Sequence, residues 1–230
     1  GGLVGAGLYA VGSEHINWGV IALHNYELQG LMKVVAGLLV SPVFGFLAGF
    51  IIMKVFTHVF RHFTHRINLF FVYSQYVSVA WLGFSHGAND AQKGMAIIGM
   101  ILLANGTTST FTIPDWAILL SASAMTLGTM FGGWSIIKTL GFGLYHLKTI
   151  HSVANQLGAA LINSIATEIG APTSTTQVVT ATLLGNGAAE KPGHVKWRTA
   201  GGIITGWLLN IPVSIFLGWL FCYLYLVIWR

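Results

Sequence analysis

From Ile67 to Ala104 the chain stays largely apolar, yet near the middle His86-Gly87-Ala88-Asn89-Asp90-Ala91-Gln92-Lys93-Gly94 carries an amide, a carboxylate and an ammonium. An unpaired ionisable side chain at the centre of a membrane helix costs roughly 3 kcal/mol or more, so such a residue marks a functional site by default. The stretch is too long for one straight span and the polar residues interrupt it. A helix broken at Ser85 to Asn89 is therefore expected, with irregular backbone tolerated only where protein or a cavity surrounds it.

The surroundings support a bilayer setting. Of the 230 residues, 54% are hydrophobic and only 7% are charged, against about 25% charged in a soluble domain. Apolar segments run over Leu31 to Val55, Ile67 to Phe84, Met95 to Ala104, Trp116 to Leu140, Val153 to Ile169, Val178 to Leu184 and Thr199 to Ile228. Some approach the ~20 residues that cross a bilayer as helix, while others are too short to do so alone. The expected fold is all-α: a polytopic transmembrane helical bundle with broken helices and a re-entrant hairpin, multi-pass in a cell membrane. The formal net charge of +5 sits on loops between the spans. It matches the positive-inside bias and argues against nucleic acid as a partner. The chain opens on Gly1-Gly2-Leu3-Val4-Gly5-Ala6-Gly7, which reads as helix interior, so a fragment lacking its natural N-terminal part is expected.

The loops set the topology. Glu14 and Glu27 stand against Lys33 in the first polar connector. Lys54, Arg61 and Arg66, with His58, His62 and His65 between them, form a basic loop expected on the cytoplasmic side, as do the connectors holding Lys138 and Lys148 and then Lys191, Lys196 and Arg198. Pro42 and Pro212 should kink their spans without ending them. Gly170-Ala171-Pro172 separates two short apolar segments, the pattern of a hairpin that turns within the membrane. Trp116, Trp197 and Trp229 fit interface belts. Leu3-Val4-Gly5-Ala6-Gly7 is echoed by Leu183-Leu184-Gly185-Asn186-Gly187, and His15-Ile16-Asn17-Trp18 by His194-Val195-Lys196-Trp197, each pair leading into a Pro-containing span. The first connector is net acidic and the second net basic, the signature of an inverted-topology repeat. Residues 1–66 then end a first repeat, and 67–230 form a second.

Two polar stretches carry the chemistry. Asn89-Asp90-Ala91-Gln92 and Ser174-Thr175-Thr176-Gln177 each follow a Gly-Ala element and fit a capping pattern, so each is expected to start a half-helix. A helix start offers free N–H groups and partial positive charge to an anion. Hydroxyls of Thr173, Ser174, Thr175 and Thr176 add donors, and Lys93 adds a cation one turn after Asn89. Asp90 opposes an anion unless a cation travels with it, which suits a cation-coupled anion symporter using sodium or a proton. Other readings remain open. Asp90 and Lys93 fit an intrahelical ion pair, the Ser-Thr-Thr run a cap or packing face, and His86 with Asp90 a metal pair lacking a third ligand. Glu168 beside the turn suits a site or a water-facing position equally. A membrane-embedded hydrolase or metalloenzyme using His86, Asp90 and Ser174, a non-transporting anion sensor, and a permease for sulfate or another tetrahedral oxyanion are the rival functions.

Phe84 to Met95, with Gly87-Ala88-Asn89-Asp90-Ala91-Gln92-Lys93 at its centre, and Gly170-Ala171-Pro172-Thr173-Ser174-Thr175-Thr176-Gln177 resemble the two signatures of the inorganic phosphate transporter (PiT) family, in order and spacing. The resemblance covers almost the whole chain and points to the C-terminal portion of a bacterial member. It implies a non-enzymatic symporter without a resident cofactor or metal, moving inorganic phosphate with sodium or protons, in some members as a complex with a divalent metal. It further implies a homodimer in membrane lipid, and an absent N-terminal repeat holding the other copy of each motif. By that resemblance Asn89 and Asp90 serve the ion and substrate site, and Ser174, Thr175 and Thr176 bind phosphate; with the donors read from the residues themselves, the expected substrate ligands are Asn89, Lys93, Thr173, Ser174, Thr175 and Thr176, and the expected cation-coupling residues Asp90, Asn89, Gln156 and Thr176. Gln156 stands where many relatives carry Glu; an amide can ligate sodium but cannot exchange a proton near neutral pH.

Overall fold

The computed structural model describes residues 1–19, 29–62, 67–144 and 147–229, so Glu27, His65 and Arg66 lie outside the described residues. All regular structure among these residues is helical: α1 (Gly2–Ala10), α2 (Gly30–Val59), α3 (Ile67–Ala104), α4 (Asp115–Gly132), α5 (Trp134–Gly143), α6 (Thr149–Glu168), α7 (Thr175–Glu190) and α8 (Trp197–Ile228), with 3-10 turns at Ser13–His15 and Pro192–His194. Helices α2, α3 and α8 are long and apolar enough to cross a membrane. Large apolar side chains such as Phe44, Tyr76, Leu119, Phe131 and Phe221 lie open on the surface, as a lipid-facing exterior requires. Pro42 and Pro212 sit inside continuous helices, as expected.

The break expected at Ser85 to Asn89 does not occur. Helix α3 runs unbroken through the motif, and its 38 residues extend about 57 Å, well beyond the ~30 Å hydrocarbon core. The reason lies in helical spacing. His86, Asn89, Asp90 and Lys93 fall at i, i+3, i+4 and i+7, one face of the helix. Asp90 is paired with His86 and Lys93 on that same face, so the backbone ladder need not open to satisfy it. Gly87 is equally undemanding, since a Cβ there would meet nothing within 4 Å. A break does occur where one span, Trp116 to Leu140, was expected: Gly133 separates α4 from α5, and a Gly-Gly pair is a common kink site.

The hairpin is present. Helix α6 ends in a Schellman motif, with Gly170 at φ +60°, Gly170 N–H donating to Thr167 O at 3.1 Å and Ala171 N–H to Ala166 O at 2.8 Å. Pro172 and Thr173 carry the chain to the Ser174 N-cap of α7. The capping box expected of Ser174 and Gln177 does not form, because Ser174 makes no side-chain cap bond. At the hairpin base, buried His151 joins the two legs. Its Nδ1 accepts from Lys148 N–H at 2.9 Å, which makes Nε2 the donor to Glu190 Oε2 at 2.9 Å. Lys148 Nζ reaches Glu190 Oε1 at 3.3 Å, so two connectors assigned to one membrane side meet at one end of the hairpin.

Packing divides the chain into two compact units, Gly1–Ala36 with Trp197–Arg230, and Gly37–Lys196. The boundary expected at residue 66 concerned sequence repeats, whereas these units are of packing. In the first unit α1 lies on α8 at backbone contact: a Cβ on Gly5 would fall 1.9 Å from Ile215 O, and one on Gly218 2.1 Å from Gly2 O. Tyr9 also meets Trp219 and Tyr223 edge-on. In the second unit α7 lies on α2 in the same way: a Cβ on Gly185 would fall 2.1 Å from Phe46 O, and one on Gly49 2.1 Å from Thr182 O. Gly2 and Gly5 correspond to Thr182 and Gly185, and Ile215 and Gly218 to Phe46 and Gly49, three residues apart in every case. The echo in the sequence is thus one helix crossing built twice from small residues, the device that lets membrane helices approach closely.

Candidate functional site at the hairpin tip

Helix α6 runs parallel to α3 and packs along it. Ser78 Oγ donates to Gln156 Oε1 at 2.5 Å, Trp81 Nε1 to Ser164 Oγ at 3.2 Å, and Asn89 Nδ2 approaches Thr167 Oγ1 at 3.4 Å. Partners rise together in both helices, so the chain leaving α6 arrives beside the middle of α3. The tip is held from its other side by α2, where a Cβ on Gly37 would fall 2.2 Å from Pro172 O.

At that junction the two polar stretches meet. Asp90 Oδ1 accepts from Lys93 Nζ at 2.5 Å. Its Oδ2 accepts from His86 Nε2 at 2.9 Å and from the Thr175 hydroxyl at 2.8 Å. Lys93 Nζ also donates to Thr173 O at 3.1 Å, and Asn89 Nδ2 to Thr173 Oγ1 at 3.2 Å. Three side chains of α3 therefore grip two residues of the tip. Asn89, Thr173 and Thr175 are buried, whereas Lys93 is half exposed.

The arrangement has the parts of an anion site. An ammonium carries three donors, and among the described residues Lys93 commits two of them, to Asp90 and Thr173, leaving one N–H for a ligand. Helix α7 begins beside it. Its first ladder bond runs from Val178 N–H to Ser174 O, so the N–H groups of Thr175, Thr176 and Gln177 have no partner within the helix and face the entering chain. Cation and helix start together favour a small oxyanion.

Not every expected residue is tied into this hydrogen-bonded cluster. Thr176 and Glu168 are exposed, and Ser174 is half-buried. Gln156 pairs with Ser78, about 16 Å along α3 from Asn89 at 1.5 Å per residue, so it is not brought to Asp90. His86 and Thr167 hold the site together although neither was counted as a substrate or cation ligand. His86 was legible as the i−4 neighbour of Asp90, whereas Thr167 had no such signal. The cluster also bears on the hydrolase alternative, which used His86, Asp90 and Ser174: among the described residues it is the hydroxyl of Thr175, not that of Ser174, that joins His86 at Asp90. The imidazole of His86 and the hydroxyl of Thr175 both donate to the carboxylate between them, so the ring does not stand between acid and hydroxyl as a general base must.

The chain is similar to known phosphate transporters in sequence and in fold. The model of the phosphate transporter family matches residues 60–218. A probable low-affinity inorganic phosphate transporter of Bacillus subtilis is 36% identical over 95% of this chain and 63% of its own length. That of Rhizobium meliloti is 34% identical over 93% of this chain and 62% of its own. The chain thus spans a little under two thirds of these relatives. A solved structure of a sodium-dependent phosphate transporter superposes with a TM-score of 0.79 at 21% identity, covering 97% of this chain and 71% of that one, which establishes a shared fold. On the family match, over more than half its length, the chain belongs to the phosphate transporter family.

Proposed function

We propose that this chain is the part of a cation-coupled inorganic phosphate symporter that supplies one half of its binding site, a continuous helix with a re-entrant hairpin. The observation that carries the reading is Lys93, held between Asp90 and the Thr173 carbonyl at the start of α7. Phosphate would take the remaining Lys93 N–H, the Thr175 to Gln177 amides and the hydroxyls of Ser174 and Thr176 at the tip. Asn89 and Asp90 hold the tip in register and connect the anion to the coupling cation, sodium or a proton. On this reading residues 1–66 close a first repeat, 67–230 form the second, the other copy of each motif completes the site, and the protein works as a homodimer in a bacterial cytoplasmic membrane. Phosphate paired with a divalent metal is a further form of cargo.

Sulfate is the nearest alternative, because backbone N–H groups and an ammonium serve either oxyanion. Uptake of labelled phosphate by cells producing the protein, with sulfate as competitor, separates the two. Saturable phosphate uptake that sulfate leaves unchanged is expected; sulfate uptake without phosphate uptake would overturn the assignment. Chemical turnover of a phosphoester would instead revive the hydrolase, and binding without uptake the sensor.

A further inference from the structure

Between α3 and α6 runs a seam of buried and half-buried polar side chains that continues away from the hairpin-tip site. Ser78 meets Gln156 and Asn89 meets Thr167, each 78 residues apart in sequence. The same offset sets Ser85 opposite Asn163, one turn along α3 from Asn89. Ser85 and Asn163 are both buried, Asn163 completely. Among the described residues Asn163 has no hydrogen-bond partner at Oδ1 or Nδ2, and Asn89 has none at Oδ1. Buried amide atoms without partners are costly, and three of them within one turn of a helix pair call for a ligand.

Oxygen dominates the available chemistry. Asn89 is oriented by its Nδ2, which donates toward Thr173 and Thr167, so Oδ1 points the other way. Asn163 presents an oxygen in either amide orientation. The Ser85 hydroxyl donates to Leu82 O at 3.1 Å and the Thr167 hydroxyl to Asn163 O at 2.9 Å, which leaves lone pairs on both. Four neutral hard oxygens suit a small monovalent cation, and lack the carboxylates that hold a divalent one. Asp90 is not a competing position, since Lys93, His86 and Thr175 already occupy both its oxygens.

We infer that Ser85, Asn89, Asn163 and Thr167 form a sodium site one helical turn from the anion site. This rests on the cation-coupled reading above and names the residues of the coupling ion. It also supplies the link between ion and anion. A cation on Asn89 Oδ1 fixes the amide so that Nδ2 faces the Thr173 hydroxyl, which holds the hairpin tip where Lys93 and the start of α7 converge. Without the ion that amide loses the partner that orients its oxygen.

The test uses the purified protein in detergent, without phosphate, comparing thermal unfolding midpoints in sodium chloride and in matched choline chloride. Wild type is expected to gain a saturable rise in midpoint with sodium. Asn163→Leu is expected to lose that rise while melting in choline at or above the wild-type midpoint, because it removes an unpartnered amide. Ser85→Ala, a smaller change, should weaken the sodium dependence at least tenfold, and Gly87→Ala, whose added methyl meets nothing within 4 Å, should keep it. A full sodium response in both Asn163→Leu and Ser85→Ala overturns the site. Equal midpoints for wild type in the two salts also overturn it, and with a stabilised Asn163→Leu they identify a position for water only. Phosphate uptake by the wild type is measured alongside. Its absence counts against the symporter reading, whereas intact uptake with sodium-independent melting counts against this site alone.

Discussion

Replacing Thr175 by Val deletes one oxygen at the point where α3 and α7 meet and keeps the shape of the side chain. The lost bond is the 2.8 Å contact to Asp90 Oδ2, at a residue only 2% exposed. Hydrogen bonds to a charged group contribute about 1.5–3 kcal/mol. Asp90 keeps His86 and Lys93, so the carboxylate is not stranded and the lower part of that range applies to folding. The start of α7 loses its tie to α3, and phosphate affinity is expected to fall about 10- to 150-fold, the same free energy expressed as an equilibrium constant. The assay is the concentration dependence of labelled phosphate uptake, normalised to the protein present in the membrane by immunoblot. Thr175→Ser restores the hydroxyl and should recover most of the affinity. Equal falls in affinity and abundance, or a Ser variant no better than Val, would show that Thr175 serves packing and that the contact to Asp90 does not shape the site.

Asp90→Asn turns an amide N–H either against Lys93 or against the His86 and Thr175 donors and leaves the Lys93 charge uncompensated; uptake driven by a cation gradient should disappear while the protein stays in the membrane, and wild-type uptake with unchanged sodium or pH dependence would refute this. Gly185→Ala sets a methyl 2.1 Å from Phe46 O and should cost about 1–3 kcal/mol through overpacking, read as loss of folded protein on detergent gel filtration. Gly87→Ala meets nothing within 4 Å and should be neutral or gain up to about 1 kcal/mol from helix propensity. Gln156→Leu removes the 2.5 Å partner of Ser78 far from the anion site, so it should lower thermal stability and leave the phosphate concentration for half-maximal uptake unchanged; a large change in that concentration would place Gln156 in the transport machinery.

Residues whose effect is local were legible in the sequence. Apolar runs marked the spans, Gly170 and Pro172 marked the hairpin, and Pro42 and Pro212 were correctly placed inside helices. Asn89 and Asp90 were singled out but wrongly set at a helix start. Asn and Asp are good N-caps, and nothing local reveals that their partners lie on Thr173 and Thr175, more than 80 residues away. With those partners and with His86 and Lys93 the polar face is satisfied inside a continuous helix. Gly133 was missed for the opposite reason: its neighbours are apolar, and a Gly pair leaves the choice between bend and continuation to tertiary packing. Asn163 gave no signal, because a lone amide in an apolar helix acquires meaning only from what it fails to meet.

The claim that phosphate binds where Lys93 meets the tip of the hairpin is tested most directly by solid-state phosphorus–nitrogen dipolar recoupling, with bound phosphate and side-chain-labelled lysine in the reconstituted protein. The account predicts a phosphate-dependent coupling that Lys93→Met removes. Phosphate bound with unchanged affinity and no coupling to Lys93 would contradict it.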